Sequence, residues 1–253
     1  MRYHAGERRL WAITRIPSPA QEDERGVHRE LGGLRQERTA HSNRIRSLLV
    51  LHNLRTEHIG GRTWVGWWAA HAAQLQPGLR AEIERELERL SLVTRQIRAL
   101  ETTQTHQVRD GEQPAIAMLA QLAGIGTGSA WTLVKELFGW RQFRNRRELA
   151  GCLGLAPTPY ASGTSEVEQG ISKAGNKRVR WLMVELAWSW LRFQPGSAMS
   201  TWFNQRFGST GKRSRRIGIV ALARRLAIAL WRYLGHGEIP AGARLKPAAT
   251  PAL

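Results

Sequence analysis

The chain has 253 residues and carries 38 Lys and Arg against 20 Asp and Glu, a formal charge of +18 with His neutral. A field of that sign at any physiological pH favours a polyanionic partner, nucleic acid first, and excludes an acidic solvating role. A hydrophobic content of 42% with 11 Trp excludes a disordered basic tail, and a single cysteine, Cys152, excludes an intramolecular disulfide or a multi-cysteine zinc site.

At the amino end, Met1 to Leu10 is polar and charged where a secretory leader needs an apolar centre. No uninterrupted apolar run reaches the roughly 20 residues of a membrane span. The expectation is a cytoplasmic protein without a membrane partner. From Pro19 to about Leu54, Val27, Leu31, Leu34, Ile45, Leu48 and Leu49 recur at helical steps among charges, which predicts a long helix with a narrow apolar seam. Ser18, Pro19 and the acids Glu22, Asp23 and Glu24 suit its start, and Gly32-Gly33 is expected to weaken its middle. The pattern breaks at Gly60-Gly61, where the aromatic patch Trp64, Trp67 and Trp68 leads to Pro77. A second helix, Leu79 to about Val108, repeats the style through Ile83, Leu87, Leu90, Val93, Ile97 and Leu100. The two read as an antiparallel hairpin or coiled-coil arms. They fit a spacer or dimer seam as well as a basic arm that uses Arg44, Arg46, Arg55 and Arg62 on nucleic acid.

After Asp110-Gly111 acids thin out and small residues rise, predicting a compact domain from about Pro114 to Gly235. Within it, Leu119 to Leu137 runs from one apolar helix through Gly124-Ile125-Gly126 into another. That is the pattern of a helix-hairpin-helix module, whose turn glycines let helix N-terminal N–H groups approach a DNA phosphate. A helix-helix turn without a ligand fits the same residues.

Phe143 to Leu153 predicts a turn and short helix, Pro157 and Pro159 an extended stretch, and Tyr160-Ala161-Ser162-Gly163 a polar loop. Past Gly170, the cluster Lys173, Asn176, Lys177, Arg178 and Arg180 leads into an apolar helix, Trp181 to Leu191. A serine hydroxyl beside such cations is what nucleophilic phosphoryl transfer requires, because the cations balance charge that develops on phosphorus. A plain Ser-Gly turn with solvated or phosphate-binding cations fits too. Further on, Lys212, Arg213, Arg215 and Arg216 predict a basic loop at phosphate. Leu222, Leu226, Ile228, Leu230 and Trp231 then predict a helix whose other face holds Arg224, Arg225 and Arg232. The eight His are dispersed, so no metal site is expected from them.

The run GIGTGSAWTLVKELFGWRQFRNRRELAGCLGLAPTPYASG, followed by GISKAGNKRVRWLMVELAW, MSTWFNQRF and IVALARRLAIALWRYL, resembles the carboxyl-terminal domain of insertion-sequence 110 family transposases. RYHAGERRLWAITRIPSPAQEDERGVHRELGGLRQERTAHSNRIRSLL is similar to the family's central region, so the resemblance covers nearly the whole chain before its tail. It implies a DNA transposase acting by strand cleavage and rejoining, with Ser162 as nucleophile and Ser165 and Ser172 as lesser candidates. It also implies a structured guide RNA, a homo-oligomer, and Mg²⁺ held by an acidic set in an RNase H-like domain of the complete family protein. That domain should precede the equivalent of Arg2-Tyr3-His4, and the chain's only aspartates are Asp23 and Asp110. The expectation is therefore an amino-terminally truncated member with no cofactor in this chain; the alternative is a non-catalytic DNA- or RNA-binding remnant.

The expected fold class is mainly α, with long helical hairpin or coiled-coil arms followed by a helical domain bearing a helix-hairpin-helix element. The expected organisation is residues 1–18 as linker or remnant of the preceding domain, 19–110 as the arm, 111–236 as the transposase domain and 237–253 as a disordered tail.

Overall fold

The computed structural model describes residues 16–162 and 165–247; the side chains of 158–169 lie outside the described set. The fold is mainly helical, as the apolar periodicities require, and divides into two compact units, Asp23–Glu112 and the part from Gln113 onward together with the segment before Asp23.

The unit Asp23–Glu112 is built on two long helices, α1 (Pro19–Val50) and α3 (Pro77–Arg109), joined through α2 (Arg62–His71) and a short 3₁₀ turn. Ile45 and Leu49 share a core cluster with Ile83 and Leu90, while Leu31 and Leu34 meet Val93 and Ile97, so the helices run antiparallel. Gly32-Gly33 does not interrupt α1, because the buried Leu31 and Leu34 on either side hold that turn against α3. Val27, expected in the seam, is 43% exposed. The tryptophan patch forms α2: Trp64 is buried with Ile45 and Leu49 and stacks on Trp67 and Trp68 at 5.2 and 5.4 Å. One carboxylate sits inside the hairpin. Glu86, its side chain 4% exposed, accepts from His41 Nδ1 at 2.6 Å, Arg44 at 2.8 Å and Arg89 at 2.6 Å. Burial by itself raises its pKa; hydrogen bonds from His41 and Arg44, with their charges, more than offset this and bring it to about 2.

The unit from Gln113 surrounds the long helix α9 (Lys212–His236), which α4 (Pro114–Gln121), α6 (Arg146–Leu153), α7 (Lys177–Phe193) and α8 (Ala198–Phe207) all contact. Leu222, Leu226 and Leu230 of α9 are buried with Leu119, Leu149, Met183 and Trp190, whereas Ile228 and Trp231 are only half-buried. A Cβ at Gly218 would lie 2.5 Å from the Phe207 ring, so this glycine is what lets the end of α8 lie against α9. Lys212, Arg213, Arg215 and Arg216 are not in a loop; they occupy the first turns of α9, because the helical register set by the apolar residues downstream extends back to Gly211.

Between α6 and α7 a two-stranded antiparallel hairpin, β1 (Pro157–Ser162) and β2 (Ser165–Ile171), replaces the expected polar loop. Ser165–Ile171 provides the ladder partner, a pairing that local turn chemistry does not reveal. Residues 237–247 also depart from the expected disorder. Ala241 O accepts from Ala198 N, Gln194 bonds both backbone groups of Arg244, and Lys246 N donates to Gln121 O. These backbone groups find partners on the domain despite a Pro-, Ala- and Gly-rich composition; residues 248–253 lie outside the described set.

Candidate nucleic-acid interface

The base of the β-hairpin is set by two glycines. Gly154, at φ +64°, ends α6, and Gly175, at φ +99°, precedes α7. A Cβ on either would run into backbone, Gly154's into Ala174 O and Gly175's into Cys152 O. The loops entering and leaving the hairpin therefore cross in backbone contact, which only glycine permits. Ser172 N donates to Ala156 O at 2.9 Å and Arg180 to Leu153 O at 3.2 Å, closing the base. Asn145 caps α6 by accepting from Arg147 N and Glu148 N, and Glu148 accepts in return from Arg144 N. That backbone bond holds the Glu148 carboxyl below its usual range.

Pro157, Gly170 and Ile171 of this base form one wall of a groove of about 1130 Å³. Arg146 and Arg147 at the start of α6, Trp202 of α8, and Lys212, Arg213, Arg216, Arg224 and Arg225 of α9 line the rest. No Asp or Glu lines it among the described residues. Leu155, Ile171, Ile217, Val220 and Ile228 give it an apolar floor. The Arg225 guanidinium lies 4.1 Å from the Trp202 ring centroid, and Phe207 meets that ring edge-on at 5.7 Å. The first turns of α7 and α9 contain cations and no acid, at the end of each helix that already carries positive partial charge. Helix stability does not account for cations there.

Of the residues singled out from sequence, Lys212, Arg213 and Arg216 come together in the groove, while Arg215 is exposed on the same turns but does not line it. Lys177 and Arg178 are exposed at the start of α7, and Lys173 is exposed with φ +56°. Asn176 serves the fold, its side chain capping α7 by accepting from Val179 N at 3.1 Å. Arg180 is half-buried against Leu153 O. Ser162 is the last residue of β1, paired with Ser165; both side chains lie outside the described set, while Ser172 is exposed just after β2. Ser162 lies five residue steps along β1 from Pro157, roughly 16 Å from the groove wall.

The turn between α4 and α5 (Thr127–Leu133) treats its two glycines differently. Gly124 has φ +89°, its carbonyl accepts from Ser189 Oγ at 2.7 Å, and a Cβ there would lie 3.3 Å from Phe193 Cβ. Gly126, at φ −81° and ψ 158°, is in ordinary extended geometry and exposed, with nothing within 4 Å of a Cβ. Of the two turn glycines only Gly124 takes a positive φ, with Phe193 and Ser189 next to where a Cβ would stand. Sequence reading left out of its candidate site Arg146, Arg147, Arg224, Arg225 and Trp202. Their charges and the tryptophan of MSTWFNQRF were visible, but their convergence is made only by the crossing of α6, α8 and α9.

Residues 116–201, from α4 through the first turn of α8, match the family model described as Transposase IS116/IS110/IS902 family. Over this segment the chain is similar to the IS116/IS110/IS902 transposase family. It is 40% identical to the putative transposase y4rJ of Sinorhizobium fredii, over 96% of this chain and 65% of that protein. It is 30% identical to a probable family 20 transposase of Pseudomonas aeruginosa, over 87% of this chain and 66% of that protein. The transposase for insertion sequence element IS1328 of Yersinia enterocolitica is 27% identical over 66% of this chain and 49% of its own length. The chain thus spans about two thirds of the first two relatives and about half of the third. The groove, free of acids among the described residues, draws most of its cations from α9, beyond the matched segment.

Mg²⁺, which the family resemblance implies, does not fit the described residues. Among them no group of three His, Cys, Asp or Glu could hold a metal ion, and the buried Glu86 is already taken by three cationic partners. Among the described residues no helix is long and apolar enough to cross a membrane.

Proposed function

We propose that this chain is the DNA-handling part of an insertion-sequence transposase and that Ser162 supplies the nucleophile for strand cleavage and rejoining. The observation that carries the DNA assignment is the groove beneath the hairpin, lined by arginine and lysine without a described acid, in a chain similar to a transposase family. In the chemical step the Ser162 oxygen attacks the scissile phosphorus, a P–O bond to one strand end breaks, and the serine's proton ends on the leaving oxygen. One phosphoester replaces another, so the linkage is conserved and the reverse attack rejoins DNA. The groove cations hold the strand by its phosphates, and β1 leads from the groove wall to Ser162.

The family resemblance extends this reading to a structured guide RNA and to self-association. It also extends to helix-hairpin-helix use of the α4–α5 turn, supported by the exposed Gly126-Thr127-Gly128 at the start of α5. Any Mg²⁺ would be held by carboxylates other than those described here. The absence of a carboxylate cluster among the described residues favours a second reading for the chain by itself, a nucleic-acid-binding remnant that does not cleave.

The test is a denaturing-gel search for a covalent protein–DNA adduct on insertion-sequence end DNA, using a family-length protein that contains this chain. An adduct is expected, and Ser162→Ala should abolish it while leaving binding nearly intact. An adduct that persists in Ser162→Ala overturns the assignment and turns attention to Ser165 and Ser172. Adduct formation by the 253-residue chain alone defeats the remnant reading.

A further inference from the structure

We infer that the groove between α6, the hairpin base, α8 and α9 takes an unpaired DNA strand, its phosphates on the arginine rim and a base against the Trp202–Arg225 stack. The inference rests on the DNA reading above and adds the state of the DNA held at this site.

The lining chemistry separates the possible occupants. Charge selects a polyanion, because Arg146, Arg147, Arg216 and Arg224 face the groove without a described carboxylate to balance them. A duplex would satisfy that rim and waste the floor. It turns phosphates and sugars outward and keeps base faces stacked inside, so Ile217, Val220 and Ile228 would be buried against its most polar surface. Ile217 is 59% exposed, an apolar side chain among cations. Unpaired bases offer the matching flat, apolar faces. Trp202 is half-buried, with the planar Arg225 guanidinium 4.1 Å from its ring centroid. A base laid on that layer continues the stack, as aromatic and arginine platforms do in single-strand binders. Among the described residues the groove's polar side chains, apart from the Trp202 indole N–H, are all cations, with no neutral side-chain acceptor to select a ribose 2′-hydroxyl. That favours DNA over RNA. The groove's wall is also the start of β1, so a strand held there lies at the foot of the hairpin that ends in Ser162.

The test is fluorescence anisotropy of the full chain with a labelled oligothymidylate of roughly 20 nucleotides, a duplex of equal length and an oligouridylate. Oligothymidylate should bind tightest. Trp202→Ala should weaken it roughly five- to a hundredfold, the range for loss of one stacked base, with duplex affinity little changed, and Trp202→Phe should recover most of the loss. Because Trp202 also touches Phe207, the exposed Ile217→Asp serves as a second variant that leaves the fold alone; it should weaken oligothymidylate binding by setting a carboxylate in the groove. Unchanged oligothymidylate affinity in folded Trp202→Ala and in Ile217→Asp overturns the inference. Tighter binding of the duplex overturns it while leaving the DNA-handling function standing, and preference for oligouridylate overturns the choice of DNA. Absence of binding to any of the three would defeat both this inference and the function on which it rests.

Discussion

Valine at position 126 and alanine at position 124 should have opposite consequences, although both replace a glycine of one short turn. Gly126 is already at φ −81° and ψ 158°, a β-region geometry that valine prefers, and a Cβ meets nothing within 4 Å. Stability should stay unchanged or rise by about 0.5 kcal/mol, since valine restricts the unfolded chain. Gly124→Ala must accept φ +89°, which costs about 1–2 kcal/mol for an L side chain, and a Cβ 3.3 Å from Phe193 Cβ and 3.4 Å from Ser189 O. The sum is a loss of about 2–3 kcal/mol. DNA affinity should divide the other way. If the exposed amides at the start of α5 contact phosphate, the valine side chain blocks their approach. Losing one charge-assisted hydrogen bond of about 1.5–3 kcal/mol weakens duplex binding about ten- to a hundredfold. Urea unfolding followed by circular dichroism gives the first quantity, and duplex anisotropy at low salt gives the second. A folded Gly126→Val protein that binds duplex like the wild type would refute the phosphate role. A Gly124→Ala protein as stable as the wild type would refute the conformational argument.

The hairpin-base glycine should be less forgiving still. Gly154→Ala combines φ +64° with a Cβ that collides with Ala174 O, so a loss of at least about 2 kcal/mol in urea unfolding is expected. In the helical arm, Glu86 has its carboxyl lowered from 4.5 to about 2, so the folded state binds this proton less readily than the unfolded chain. Its contribution is complete above the unfolded value and fades as pH falls from about 4.5 toward 2. The shift corresponds to about 3 kcal/mol, nearer about 2 because Arg44 and Arg89 are each 54% exposed and screened by water. Glu86→Gln should lower stability by that amount at neutral pH. Between about pH 6 and pH 3 its urea midpoint should lose less than the wild type's, and parallel pH profiles would contradict the assignment.

Local sequence determined a good deal of this protein. The seams of α1 and α3 follow from apolar residues at three- and four-residue steps, and burial of Leu31, Leu34, Ile83, Val93 and Ile97 matches them because amphipathic helices have one way to hide a narrow stripe. Net charge pointed to a polyanionic partner, and the ordered motif series to the family whose model the chain matches, since neither depends on which residues meet in space. What the tertiary structure decided were the pairings between distant segments. Strand β1 read as a loop because its partner, not its own composition, makes it a strand. The segment after α9 read as disordered because its order comes from contacts of Arg244, Lys246 and Ala241 with Gln194, Gln121 and Ala198, all of them far back along the chain. The groove follows the same rule: Arg146, Trp202 and Arg225 are far apart in sequence and ordinary when taken singly. They become one surface only because Gly218 lets α8 close on α9 and the Gly154–Gly175 crossing brings the hairpin base beside them.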